Sequence, residues 1–346
     1  RGRRNSAQGD TMARDDKLPG QLSREERLIA DVFAPLATHP GALNLTDDCA
    51  VIAPPEGCDL VLTTDAIIGG VHFFNDDAAH AVASKALRVN LSDLAAKGAT
   101  PLGYLMSLAL PQEIGQDWLT EFAEGLRGDA ERYGCPLLGG DTDRTPGPIT
   151  IAVSMVGSVP GGTMVRRAGA GPGDLVFVSG TIGDAALGLA LRKDPARDWP
   201  LTPAQAQHLS DRYLLPQPRN ALAEAVRTHA SAAMDVSDGL VGDLSKLARV
   251  SEVAANIEVA RVPLSEAARA LIAAEPAMQE PALTGGDDYE IVCTVPPDKV
   301  ESFKAAAKAA QVSVSEIGVI AQGDGARFIG PDGEPLAFRN ISFSHF

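Results

Sequence analysis

Leu137-Leu138-Gly139-Gly140-Asp141-Thr142-Asp143-Arg144 packs an apolar run, two glycines, two carboxylates and a guanidinium into one stretch. As a strand that empties into a polar turn, it puts Asp141 at the strand mouth, where open α/β sheets hold ligands. The glycines let a ligand approach the main chain. An ordinary strand end has the same look, so its meaning depends on other acidic element ends converging on it. They are present: Asp47-Asp48, Asp65, Asp93, Asp235 with Asp238, and Asp287-Asp288 all border or interrupt apolar runs. Oxygen ligands in this number suit Mg2+ or Ca2+ and not Zn2+. Like charges repel too strongly to share a low-dielectric cleft without cations. Mg2+ takes few protein carboxylates per ion and fills its octahedron with water and phosphate oxygens. Several acids therefore point to several ions, and several ions to a polyphosphate. Gly-x-x-x-x-Gly-Lys-Ser/Thr is absent, which excludes a P-loop, and so are the His-Arg-Asp and Asp-Phe-Gly motifs of protein kinases. A nucleotide kinase built on aspartates and magnesium stays open. A non-catalytic acidic cation-binding protein is the reading from another class, weakened by the lack of an EF-hand loop.

The elements that must position these acids can be read in outline. A length of 346 residues points to two domains. A net charge of −15 argues against nucleic acid as a partner. No apolar run approaches the roughly 18 residues of a membrane span. Residues 1–21 are expected to be a disordered or tag-like extension, with Met12 as a native start and no secretory signal. Cys49, Cys58, Cys135 and Cys293 form no Cys-x-x-Cys pair, so neither zinc nor a disulfide framework is expected, and a cytoplasmic setting is.

Leu22 to Leu43 holds a helical segment, and Leu45 to Ile52 reads as a strand entered by Asp47-Asp48. Leu60 to Asp65 is a second strand, followed by a loop that sets His72 beside Phe73 and Phe74. A lone loop histidine also fits a solvated position. Asp76 or Asp77 can cap a helix running to about Ala96. On it Asp93 shares a stripe with Val89, and needs a cation or a partner such as Lys97 or Arg88. Strands at 102–110 and 149–156 flank a helix at 117–133, and Pro160-Gly161-Gly162 marks the domain boundary. The second half opens with a strand at 174–179 and a helix at 185–191. Gly180 to Gly183 before that helix could hold phosphate or simply connect. Ala232 to Gly239 is a strand ending in acids, with Ser237 placed to cap the helix of Leu240, Leu244 and Leu247. Leu283 to Glu290 echoes the opening octapeptide. This alternation predicts α/β or α+β architecture in two domains, 22–162 and 163–346.

Taken together, Asp47-Asp48-Cys49-Ala50-Val51, Thr63-Thr64-Asp65 with Gly-Val-His-Phe after it, Asn90 to Ala99, Gly139 to Thr142, Asp235 to Leu240 and Gly285 to Glu290 resemble the thiamine-monophosphate kinase family, within the superfamily of aminoimidazole ribonucleotide synthetase. The likeness runs in order from about Leu22 to Phe346. It implies an N-terminal Mg/ATP-binding α/β domain whose sheet pairs across a homodimer, and a C-terminal α/β domain closing the cleft. The implied reaction is ATP-dependent phosphorylation of thiamine monophosphate to thiamine diphosphate with several Mg2+ ions. By the resemblance, Asp48, Thr63, Thr64, Asp65, Asp93, Asp141, Asp235 and Asp238 match metal-binding positions. Gly140, Asp141, Arg167 and Ser237 match positions touching ATP. His72, Asp287 and Phe343 match positions near the thiamine phosphate. The family often has Glu where Asp287 stands and Tyr or Trp where Phe343 stands, so the substrate contacts depart from the family pattern more than the metal positions do.

The chemistry then follows. The acceptor is a phosphate monoester whose second ionisation lies near pH 6, so its oxygen needs no general base. In-line attack on the γ-phosphorus would be catalysed by positioning and charge neutralisation, with Asp93, Asp141 and Arg167 as catalytic residues. The alternative within the superfamily is a synthetase that activates an oxygen by phosphorylation.

Overall fold

The computed structural model describes residues 24–342. The 1–21 extension and Phe343 lie outside the described residues. The strands are β1 (Cys58–Ile68), β2 (Thr100–Leu110), β3 (Leu137–Arg144), β4 (Thr150–Pro160), β5 (Leu175–Ser179), β6 (Ala232–Val236), β7 (Ala254–Glu258), β8 (Glu290–Val295), β9 (Val314–Ala321) and β10 (Gly325–Ile329). The α-helices are α1 (Arg24–Leu28), α2 (Ala79–Ala96), α3 (Gln116–Tyr133), α4 (Asp184–Lys193), α5 (Pro203–Leu214), α6 (Ala223–His229), α7 (Leu240–Ser251), α8 (Glu266–Ala274), α9 (Gln279–Thr284) and α10 (Val300–Ala309).

The N-terminal sheet has four strands in the order β1-β4-β2-β3. β4 pairs antiparallel with β1 and β2, while β2 and β3 run parallel and are joined through α3. Alternation along the strands turns Val61, Ile67, Met106, Leu108, Val153 and Met155 toward α2 and α3, where they form one core. Among the described residues, the opposite face is flanked only toward β3, where the segment from Ile29 to Ile52 borders Leu105 and Val156 across a cavity, and Leu62 is left 72% exposed with Leu60 beside it. The C-terminal sheet has six strands in the order β10-β7-β9-β5-β8-β6. Only β10 and β7 pair in parallel; the remaining neighbours are antiparallel. α7 packs on β6, β7 and β10, and α4, α5, α8 and α9 form a helical layer beyond it.

α2 is the element both halves share. Its alanines and leucines are strong helix formers, and only His80 and Asp93 of its 18 residues escape full burial. Gly98, in the left-handed region at φ 72°, ends it. Ala95 and Ala96 belong to the core built from β5, β8, α6 and α10. Arg88 makes a bidentate pair with Asp129 of α3 at 2.7 and 2.8 Å, and its remaining nitrogen donates to Pro216 O. Asn220 donates to Leu91 O, and Lys97 Nζ to Ala233 O.

Three local expectations are corrected. The 22–43 segment holds the expected helical stretch, in which α1 passes into a π turn and short 3-10 turns, with Pro35 and Pro40 near the breaks. Residues 45–52 form no strand. Leu43, Asn44 and Leu45 all have positive φ, and Val51 N–H turns back to Gly41 O. Asp77 does not cap α2; it accepts from Phe74 N–H and pairs with Arg192 at 2.6 Å. Ser237 does not cap α7, whose N-cap is Gly239 at φ 102°. Asp243 reaches back instead, accepting the N–H groups of Ser237 and Asp238.

Candidate active site

The period of two along β1 sends Thr63 and Asp65 toward α2 and Thr64 to the other face. Thr63 Oγ1 donates to Asp93 Oδ2 at 2.5 Å, and Asp65 N–H donates to Asn90 Oδ1 at 3.0 Å. Asp93 thus takes its hydrogen bond from Thr63, not from Arg88 or Lys97. Ser92, one position before it, donates to Asp235 Oδ2 at 2.9 Å, which brings the end of β6 against α2. Asp238, just past β6, is held by Lys246 at 2.5 Å, and Lys246 also binds Asp243 at 2.8 Å. The Thr64 hydroxyl lies apart from this group and donates to Val153 O at 3.0 Å.

Electrostatics shows that these acids share one basin. Partial desolvation, then Asp93 and Asp238, push the Asp65 carboxyl up to about 6, although Asp65 stands at the open rim. Burial first, and then Asp93 and Asp243, raise Asp235 well above the usual carboxylate range. Burial lowers the Lys97 ammonium to about 8, opposed by Asp235 and Asp93 and assisted by Arg167. Asp65, Asp93, Asp235 and Asp238 therefore face one another across the domain seam, with Lys97 and the exposed Arg167 beside them. Hard oxygens whose ionised forms destabilise one another fit a divalent cation. Among the described residues, no group of three or more His, Cys, Asp or Glu is placed to hold a metal ion by itself, so an ion here would take its remaining positions from phosphate and water.

A second group lines a cavity of about 710 Å3 on the far side of the sheet. Asp47, Asp48, Gly139, Gly140, Asp141 and Thr142 meet the apolar side chains of Ile29, Phe33, Leu105 and Val156 there. Gly140 is required in this row, since a Cβ would fall 2.0 Å from Met106 O. Asp65, Val153, Met106 and Gly140 sit in register across the sheet. Three strand spacings put Asp65 and Gly140 about 14 Å apart. Within one chain, Asp48 and Asp141 are not brought beside Asp65 and Asp93.

The residues expected at the acceptor come from both domains. His72 Nδ1 accepts from Ile68 N–H, and its carbonyl accepts from Lys85 Nζ at 2.8 Å and Tyr213 Oη at 3.1 Å. Asp287, at φ 75°, accepts from Lys85 at 3.3 Å and from Tyr289 Oη at 3.3 Å. Asp287 N–H donates to Ser237 O, so Ser237 stands between the acceptor residues and Asp238. The neighbouring acids of the second octapeptide are structural. Asp288 accepts from Gly183 N–H and Ala185 N–H at the start of α4, so that helix end holds the chain's own carboxylate. Glu290 takes Arg212, Arg219 and Ser179. Sequence reasoning missed Lys85 and Lys246. Lys85 had a signal, a single cation inside the run Ala81 to Leu87; Lys246 had one too, Asp243 three residues before it on α7, although its other partner Asp238 lies on the preceding turn.

A chain of two mixed sheets meeting along a shared helix, with acids at the seam, matches the AIR synthase related proteins in both halves. Their N-terminal domain matches residues 46–159 and their C-terminal domain matches residues 171–330. The thiamine-monophosphate kinase of Caulobacter vibrioides is 44% identical over 301 residues, covering 86% of this chain and 84% of that protein. The crystal structure of thiamine-monophosphate kinase from Stenotrophomonas maltophilia K279a superposes with a TM-score of 0.77 at 38% identity, over 84% of this chain and 91% of that one. AaThiL complexed with AMPPCP and TMP gives 0.74 at 33% identity, over 87% and 91%. The chain belongs to the thiamine-monophosphate kinase family.

Proposed function

We propose that the chain transfers the γ-phosphoryl group of ATP to thiamine monophosphate, giving thiamine diphosphate and ADP. The observation that carries this reading is the acidic basin of Asp65, Asp93, Asp235 and Asp238 at the domain seam, with Lys97 and Arg167 beside it. Thr63 and the four acids would hold Mg2+ on this side, with Asp48 and Asp141 on the nucleotide side. When bound, the ions neutralise phosphate charge so that two anions can approach. Gly140 would let the nucleotide pass close to the main chain, with Ser237 near its phosphates, and Arg167 would stabilise the transferring group. His72 and Asp287 would orient the acceptor, whose ionised phosphate oxygen attacks the γ-phosphorus in line. None of these residues needs to remove a proton.

The bare face of the N-terminal sheet supports a homodimer, since a contiguous apolar patch rarely stays wet in a monomer. Four free cysteines and the lack, among the described residues, of a helix long and apolar enough to cross a membrane fit a cytoplasmic enzyme.

The test is to incubate the protein with thiamine monophosphate, ATP and magnesium and separate the thiamine phosphates by chromatography. Thiamine diphosphate that appears only when all three are present supports the reading. ADP released only with another phosphate acceptor moves the chain to a sister activity. No ADP under any condition leaves a cation-binding protein.

A further inference from the structure

Lys85 is 1% exposed on α2, in the stretch Ala81 to Leu87 where the remaining residues are alanine, valine, leucine and Ser84. Burying an ammonium costs several kcal/mol unless its donors are satisfied. Here they are met in an unusual way. His72 O takes one donor at 2.8 Å and Asp287 Oδ2 another at 3.3 Å. The face of the Tyr213 ring lies 3.8 Å from Nζ and absorbs the remaining charge. Tyr213 Oη then donates to the same His72 carbonyl at 3.1 Å. One cation therefore joins a loop of the N-terminal domain, a turn of the C-terminal domain and α5.

We propose that Lys85 is a positioning residue of the acceptor pocket, fixing His72 and Asp287 at one separation across the domain seam. The inference rests on the reading of those two residues as facing thiamine monophosphate. Domain attachment alone does not account for it, because Arg88, Asn220 and Lys97 already tie α2 to the C-terminal half. Asp287 also sits in the left-handed region, which aspartate tolerates better than most side chains. Its backbone is tied to Ser237 O, while Lys85 on Oδ2 and Tyr289 on Oδ1 fix where its carboxylate points. The nucleotide-side residues Gly140 and Asp141 lie at the far edge of the sheet, and Ser237 meets Asp287 only through the backbone, by an N–H···O bond that does not involve Lys85. Loss of Lys85 should therefore fall on one substrate and spare the other.

Steady-state kinetics of Lys85→Met and Tyr213→Phe test this. Lys85→Met should raise KM for thiamine monophosphate at least tenfold, with KM for ATP within twofold of wild type. Tyr213→Phe keeps the ring under the ammonium and removes one donor to His72 O; it should raise the same KM about threefold and leave ATP unaffected. Parallel rises in both KM values, or an unchanged KM for thiamine monophosphate, overturn the proposal. If Lys85→Met does not fold, Tyr213→Phe decides alone. Wild-type protein that makes no thiamine diphosphate overturns the functional reading itself, an outcome seen before any variant is measured.

Discussion

Asp65 shows how much a single carboxylate can report. Its folded pKa of about 6 lies above the ordinary 3.8, so the cation-free native state binds its proton more tightly than the unfolded chain does. This group therefore lowers stability as pH rises from about 4 through about 6, and a bound cation reverses the effect by favouring the anion. Magnesium should raise the melting temperature at pH 7.5 and lose that effect as pH falls to 5; scans with and without the ion check this. Asp93 receives its hydrogen bond from Thr63 and repels Asp65 and Asp235. Asp93→Asn should cut turnover by orders of magnitude and leave the melting temperature near or above wild type, because a repelling charge is gone. The acids themselves were legible in the sequence, since aspartates after apolar runs stand out by type. Which of them meet was not. Thr63 and Thr64 are adjacent in sequence, yet strand alternation sends one to Asp93 and the other to the opposite face. Asp65 and Asp141 read alike but lie in neighbouring rows at opposite edges of the sheet.

At the level of elements, long regular pieces followed from pattern and short ones did not. β1, β2, β4, α3 and the extent of α2 match the hydrophobic periodicity, because their apolar positions face one continuous core. The stretch around Asp47-Asp48 looked like a strand because Cys49, Ala50, Val51 and Ile52 are apolar. It finds no strand to pair with, and Val51 is 67% exposed beside Pro54-Pro55. Helix caps failed for a similar reason. Asp77 had the right position for α2 but is drawn to Arg192, a residue 115 positions away. The α2–α3 contact also depends on a distant pair. Arg88 and Asp129 are both buried, and Arg88→Ala leaves a carboxylate without its cation. This should cost about 3–5 kcal/mol in chemical denaturation, with the activity of the remaining folded protein largely kept.

For the whole molecule, the two sheets are treated differently. The C-terminal sheet is covered, whereas the N-terminal sheet presents Leu60, Leu62 and Leu105 to solvent. Leu62→Glu places a charge at the most exposed leucine of that face, on the edge strand β1. If a second copy covers it, the variant should sediment as a monomer where wild type sediments as a dimer, and identical sedimentation of the two removes the pairing from the account. The resemblance announced two domains, and the two cores do have separate centres. Yet α2 is interior to the first and, through Ala95 and Ala96, to a further C-terminal cluster built from β5, β8, α6 and α10. On the ribosome it leaves the exit tunnel with the first half, well before β8 and α10 exist to receive Ala95 and Ala96. Until they arrive, one side of an almost wholly buried helix stays wet, and the nascent N-terminal half has no finished fold of its own. A cut at Pro160-Gly161-Gly162 would leave the same side bare for good. The border drawn by glycine and proline separates two sheets, yet the two halves are expected to unfold in one cooperative step because α2 is shared. Synthesis of this chain is then expected to reach its native state only after β8 and α10 have emerged.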